Sequence, residues 1–113
     1  MKFNIGLEVL GTNECPDGGI YYGVFWESAL QHIELPSTLK RIEYCVFRDC
    51  KDLREIKLPD SIEYVGKGCF LESGLVRIQI PRTGVQADKS SFRKCPAESS
   101  LVFRYGRAFP KSE

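Results

Sequence analysis

The chain has 113 residues, enough for one domain, and a hydrophobic content of 42% that can build a core. Its formal net charge is +1, with acids and bases interspersed, so no charge field favours nucleic acid or an anionic membrane. No apolar stretch approaches the length of a membrane-spanning helix. We therefore expect neither nucleic-acid binding nor membrane insertion.

The first 24 residues are irregular. Phe3, Ile5, Leu7 and Val9 alternate with other residues, which predicts a first strand, and the segment does not read as a signal peptide. If the chain is complete, an intracellular location is favoured. If it is a fragment of a longer array, a cell-surface or secreted location is expected instead.

From residue 25 onward the chain repeats itself. Prolines recur at intervals of 23 and 22 residues, and phenylalanines keep the same two intervals: Pro36, Pro59 and Pro81, and Phe47, Phe70 and Phe92. A fixed period in the low twenties is typical of a solenoid. Such an architecture favours an extended binding surface over an enzyme pocket, so we predict no catalytic residues.

Each repeat contains a short strand that ends at a proline. Ile33 and Leu35 are predicted to point inward, whereas His32 and Glu34 point outward, and two later repeats keep this alternation. Successive strands should stack in parallel about 4.8 Å apart. Proline ends each strand because it cannot continue the ladder of hydrogen bonds. The phenylalanines, Phe25 included, are predicted to fill the core.

The outward positions of these strands form two predicted rows. One row is His32, Glu55, Arg77 and Val102, and the other is Glu34, Lys57, Gln79 and Arg104. Charges alternate in sign, so Glu34 can pair with Lys57, and Glu55 with Arg77, at about 0.2–1 kcal/mol a pair. Two interpretations remain open: support of the sheet, or a mixed-charge strip that recognises a protein partner.

Three aromatic residues are additional candidates for partner binding. Tyr22 and Tyr44 lie one period apart, and Trp26 follows the predicted core residue Phe25. Exposed tyrosine and tryptophan are enriched at protein interfaces. Shielding of a shortened first repeat explains these residues equally well.

The chain contains five cysteines: Cys15, Cys45, Cys50, Cys69 and Cys95. Cys50 and Cys95 occupy the repeat position held elsewhere by Ser28 and Ser73, and the two repeats between them imply about 10 Å, beyond disulfide reach. We therefore predict reduced thiols in the core, with Cys15 and Cys45 the most accessible. No second cysteine pair or histidine cluster completes a zinc site, and no cofactor is predicted.

The repeated frame Ile-x-Leu-Pro, followed by Phe-x-x-Cys-x-x-Leu-x-x-Ile, resembles the BspA-type leucine-rich repeat. The match is fullest from Ile33 to Ile56, continues to Ile78 with Ser73 in the cysteine place, and extends over roughly residues 20–105. The resemblance implies a right-handed leucine-rich-repeat solenoid of the β-rich α/β class. Parallel strands stack on one face, and short strands, turns or 3-10 segments form the other. It also implies protein recognition or adhesion, without catalytic residues.

These observations predict one repeat domain over residues 1–113, with an irregular unit at 1–24, regular repeats at 25–95, and a terminal strand and tail at 96–113. The leading hypothesis is a non-enzymatic protein–protein interaction module that binds through its strand face or an end. One alternative is a structural piece or small subunit whose open ends stack on other repeats, including self-association. A more distant alternative is a fragment of a surface adhesin.

Overall fold

Very short parallel strands lie on both walls of the repeats. A computed structural model describes residues 7–11, 25, 27–87 and 89–111. The strands are β1 (Val9–Leu10), β2 (Arg41–Ile42), β3 (Glu55–Lys57), β4 (Tyr64–Val65), β5 (Arg77–Gln79), β6 (Val85–Gln86), β7 (Leu101–Arg104) and β8 (Arg107–Pro110). Two 3-10 helices span Lys89–Phe92 and Pro96–Ser100. The predicted solenoid of stacked parallel strands is confirmed.

The strands form two sheets. The smaller sheet pairs β3 with β5 in parallel and carries the middle members of the two outward rows, Glu55, Lys57, Arg77 and Gln79. The segment around Ile33 and Leu35, predicted to be a strand, forms only an isolated bridge at Glu34. The larger sheet has the order β1-β2-β4-β6-β8-β7 and forms the opposite side, here called the return wall. Its first four strands are parallel, and β8 and β7 complete it with antiparallel pairing.

Each proline begins a turn between the two walls. The amide of Leu39 donates to the carbonyl of Pro36 at 3.1 Å, and two equivalent bonds follow Pro59 and Pro81. The hydroxyl of Thr38, two residues after Pro36, donates to Leu7 O at 2.8 Å. An equivalent hydroxyl, Ser61, donates to Leu39 O at 2.6 Å. The acceptors belong to the preceding repeat, so these bonds also tie neighbouring repeats together.

A stack of phenylalanine rings, the aromatic column, forms the centre of the core. Ring centroids lie 5.5 Å apart for Phe25 and Phe47, 5.3 Å for Phe47 and Phe70, and 5.3 Å for Phe70 and Phe92. The rings are within 11° of parallel, and the last three are fully buried. Such contacts add about 0.5–1.5 kcal/mol each beyond the burial of apolar area. The predicted core position of these residues is confirmed.

The residue two places after each phenylalanine adopts a left-handed backbone. These residues have φ between 57° and 59°: Glu27, Asp49, Glu72 and Lys94. A non-glycine residue in this region carries a cost of roughly 1–2 kcal/mol. The cost is offset because the amides of the first three each donate to a carbonyl of the next repeat at 2.9–3.0 Å. The strained turn therefore recurs wherever the chain leaves the aromatic column.

The structure corrects the predicted C-terminal part of the rows. Val102 and Arg104 lie on β7, which belongs to the return wall and not to the β3–β5 sheet. Pro96 begins a 3-10 helix, and hydroxyls of Ser99 and Ser100 donate to carbonyls within it. This helix, rather than a third strand, packs beside β5, because proline cannot donate to a strand ladder.

The predicted tail contains a further strand. Arg107–Pro110 form β8 between β6 and β7. Ala108 is fully buried, and Phe109 packs over Gly84, where an added Cβ would meet the ring at 2.6 Å. Pairing with a strand 22 residues earlier stabilises this segment, and local pattern does not reveal such pairing.

Removal of one ring of the aromatic column should destabilise the whole domain. Phe70→Ala is expected to lower the free energy of unfolding by about 3–5 kcal/mol, because the cavity lies between two stacked neighbours. Urea denaturation followed by circular dichroism measures this change. The control is Val76→Ala, at an exposed position, which should cost less than about 0.5 kcal/mol. Equal effects of the two substitutions would contradict the central role of the column.

Candidate functional site

Six of the predicted partner-binding residues lie together on one surface, formed by the outer side of the β3–β5 sheet and by the neighbouring segment of the preceding repeat. They are His32, Glu34, Glu55, Lys57, Arg77 and Gln79, and all six are exposed. Together with Ile33, Leu35, Ile56 and Ile78 they line a shallow concavity of about 580 Å³. We call this surface the strand face.

The strand face is built by register. β3 and β5 pair in parallel with Glu55 opposite Arg77 and Lys57 opposite Gln79. Because side chains alternate along a strand, Ile56 and Ile78 between them point toward the core. Ile56 is buried, whereas Ile78 is only partly buried, so apolar surface lies at the base of the polar rows.

The charges on the strand face are not paired across strands as predicted. Within one segment, His32 Nε2 lies 4.0 Å from Glu34 Oε1, and both side chains are more than half exposed. In the described part of the chain, neither Lys57 nor Arg77 forms an ion pair, so the expected bonds to Glu34 and Glu55 are absent. Water-exposed pairs gain little, so these long side chains extend into solvent instead.

A second concavity continues the strand face onto the proline turns. It measures about 430 Å³ and shares Leu35, Lys57 and Gln79 with the first. Ser37 and Asp60 lie on its turn side. The two concavities give one continuous open surface that runs across three successive repeats.

Two further predicted binding residues, Arg104 and Tyr44, lie away from the strand face. Arg104 is on the hairpin of β7 and β8, and Tyr44 follows β2 on the return wall, where its ring lies over Gly66. Tyr22 and Trp26 fall outside the described residues. The structure therefore does not bring Arg104 or Tyr44 to the strand face, because β2 and β7 both belong to the other sheet.

Sequence reasoning missed a polar cluster on the return wall. Arg41 Nε donates to Glu43 Oε1 at 2.7 Å, and the Arg41 guanidinium lies 4.2 Å from the centre of the Tyr64 ring. Burial and the hydrogen bond with Tyr44 raise the pKa of Tyr64 to about 12. Arg41 and Tyr64 stand one period apart and are direct partners in the sheet, so the period was the signal that could have revealed the contact.

Glu43 supplies a buried carboxylate to that cluster. Its side chain is 4% exposed, and Oε2 is buried without a hydrogen-bond partner among the described residues. A buried carboxylate normally needs a partner for each oxygen, so the Arg41 contact compensates its burial only in part. The cluster cross-links neighbouring strands of the return wall and lies in a different sheet from the strand face.

The core thiols are free and buried, as predicted. Cys50 Sγ donates to Phe25 O at 2.9 Å, and Cys95 Sγ donates to Phe92 O at 3.0 Å. Burial raises the pKa of the Cys50, Cys69 and Cys95 thiols, because it disfavours the thiolate. Cys45 is half-buried, and Cys15 lies outside the described residues.

The described residues hold neither a metal-ligand cluster nor a membrane-spanning helix. Within residues 7–11, 25, 27–87 and 89–111, no three side chains of histidine, cysteine, aspartate or glutamate cluster as metal ligands. In the same segments, no helix has both the length and the apolar composition needed to cross a membrane.

Comparison with known proteins decides the family. The family model described as a BspA type leucine rich repeat region matches residues 19–107. This chain belongs to that family. The match spans most of the chain and includes both strands of the strand face. No curated protein and no solved structure matches the chain.

Membership of the BspA-type leucine-rich repeat family confirms the resemblance predicted from residues 20–105. Leucine-rich repeat domains are generally protein-interaction modules and are typically non-catalytic. The parallel sheets, 3-10 turns and aromatic column are consistent with a solenoid of this family.

Thiol accessibility gives a direct test of the core. At pH 8, iodoacetamide should modify Cys45 in the native protein, whereas Cys50, Cys69 and Cys95 should react only after unfolding, because burial suppresses both access and the thiolate. Mass spectrometry of peptides before and after addition of urea measures the difference. Native-state modification of Cys69 at the rate of Cys45 would contradict the buried position.

Proposed function

We propose that this domain is a non-enzymatic protein-interaction module that binds a protein partner through the strand face. The observation that carries the proposal is the arrangement of six exposed polar side chains over an apolar base in which Leu35 and Ile78 are partly exposed. Lys57 and Arg77 extend from this surface without ion-pair partners among the described residues. A partner's carboxylates can pair with them without breaking an existing contact.

The shape of the strand face supports a protein rather than a small molecule. Small-molecule sites are usually concave enough to bury most of the ligand's surface. Here the two concavities are shallow, open and continuous over three repeats. Mixed charge around an apolar base is typical of protein interfaces, where a polar rim surrounds a less polar centre.

The competing interpretation, in which the charged rows only support the sheet, is weakened by the structure. That interpretation depends on cross-strand ion pairs, and neither expected pair forms in the described residues. The sheet is held instead by its backbone ladder and by Ile56 and Leu58 beneath it. The exposed charges are therefore available for another role.

Charge reversal on the strand face tests the proposal. Peptide ligands would be selected from a random displayed library on the wild-type domain, and their dissociation constants measured by biolayer interferometry. For the largest group of related peptides that this selection yields, the double variant Lys57→Glu, Arg77→Glu should bind at least about tenfold more weakly than the wild type. The reason is that the variant places acids where the carboxylates of the partner dock.

The matched control combines Lys67→Glu with Lys89→Glu, two exposed lysines away from the strand face, and changes the net charge equally. This control should bind the same ligands within about twofold of the wild type. Thermal melts verify that both double variants remain folded. Equal binding by the strand-face variant and the wild type would refute the proposed role of this face.

A further inference from the structure

The outer edge of β7 has open backbone groups. The two-residue turn at Tyr105–Gly106 and the bond from Lys111 N to Ser100 O fix the register of the β7–β8 hairpin. In this register, the backbone N–H and C=O groups of Val102 and Arg104 face β8. Alternation then turns the backbone groups of Leu101 and Phe103 away from β8. The amide of Leu101 donates to Glu98 O, whereas the N–H and C=O of Phe103 have no partner in the described residues.

The hairpin turn presents an aromatic side chain in an unfavourable backbone conformation. Tyr105 has φ 53° and Gly106 has φ 72°, which is the pattern of a turn that favours Asn-Gly. Tyrosine at the first position is strained, and its side chain is 98% exposed, so no intramolecular packing offsets the strain. Tyrosine is enriched among the residues that contribute most to binding.

An apolar concavity lies beside this tyrosine. It measures about 290 Å³ and is lined by Val102, Arg104, Tyr105, Phe109 and Pro110. Val102 and Phe109 are direct cross-strand partners. An apolar side chain of an added strand can enter here while its backbone pairs with Phe103.

The charge around the edge is positive and unbalanced. Arg104 lies opposite Arg107, an arrangement of like charges that destabilises a hairpin. Arg107 donates to the carbonyls of Thr83 and Gly84, whereas Arg104 forms no ion pair in the described part of the chain. Residues 82–113 contain seven basic residues (lysine or arginine) and three acidic residues, whereas residues 1–81 contain nine basic and twelve acidic residues.

We propose that the edge of β7 is a second docking site, which takes an extended acidic peptide segment as an added strand. The backbone of the peptide pairs with Phe103, and an apolar side chain enters the concavity beside Tyr105. Side chains two residues apart share a face of a strand, so an acidic residue two places away meets Arg104. The favoured segment is therefore apolar and acidic at a spacing of two.

Charge decides between this occupant and a second copy of the chain. Twofold pairing of two β7 edges would place Arg104 and Arg107 of both copies on one small surface. Like charges across an interface oppose association, whereas an acidic strand compensates the same charges. An acidic peptide is therefore a more favourable partner for the edge of β7 than the β7 edge of a second copy.

The probe is a blocked seven-residue peptide with a central valine, glutamates two residues to either side and threonines elsewhere. Amide chemical shifts of the ¹⁵N-labelled domain are followed during titration. We expect saturable shifts centred on Leu101–Tyr105, with no comparable shifts on the strand face. A peptide with lysine in place of glutamate should bind at least about tenfold more weakly.

Two variants separate loss of binding from loss of folding. Arg104→Glu removes the repulsion with Arg107 and should leave the hairpin at least as stable, yet it should reverse the preference toward the lysine peptide. Tyr105→Asn introduces a residue that favours the left-handed turn, so the hairpin should remain folded. Because the variant removes the aromatic ring that contacts the peptide, it should weaken peptide binding by about tenfold. Arg93→Glu, an exposed site off β7, is the charge control and should bind as the wild type.

Four results would overturn this proposal. They are no saturable shift at millimolar peptide, shifts confined to the strand face, concentration-dependent shifts at β7 without peptide, and tighter binding of a short oligonucleotide than of the acidic peptide. The third would assign the edge to a second copy. The strand-face variants at Lys57 and Arg77 should not affect this titration, so the two proposals fail independently.

Discussion

Stacking of the phenylalanine rings is the interaction on which the rest of the structure depends. Centroid separations of 5.3–5.5 Å along the aromatic column are close to the spacing of neighbouring strands, so one ring per repeat keeps both walls in register. The backbone beside each ring bonds to the next repeat, as in Phe47 N to Cys69 O and Phe70 N to Ser91 O. Packing and hydrogen bonding therefore impose the same repeat distance.

The two walls use this common spacing differently. On the return wall, Arg41 and Tyr64 contact one another across neighbouring strands, and the β7–β8 hairpin completes the sheet. On the strand face, the outward side chains extend into water over isoleucines that the core holds in place. Intramolecular contacts therefore engage Arg41, Glu43 and Tyr64 on the return wall, whereas the charged side chains of the strand face are exposed to solvent.

The periodic part of the fold was predictable because core packing repeats with the sequence. Phe70 and Pro59 stand one period from Phe47 and Pro36, and each occupies the equivalent place. Arg104 was misplaced because the residues inserted after Phe92 form a 3-10 helix beginning at Pro96, and a period cannot place an insertion. The register also predicted that Glu55 lies opposite Arg77. It did not predict that these two exposed side chains form no ion pair in the described part of the chain.

Native-state hydrogen exchange tests the central claim most directly. If the aromatic column makes one cooperative core, the amides of Phe47 and Phe70 should exchange only through global unfolding. Their free energies of exchange should then equal each other and the free energy of unfolding measured with urea. Exchange of either amide through local opening, at a clearly lower free energy, would contradict a single core organised by the stacked rings.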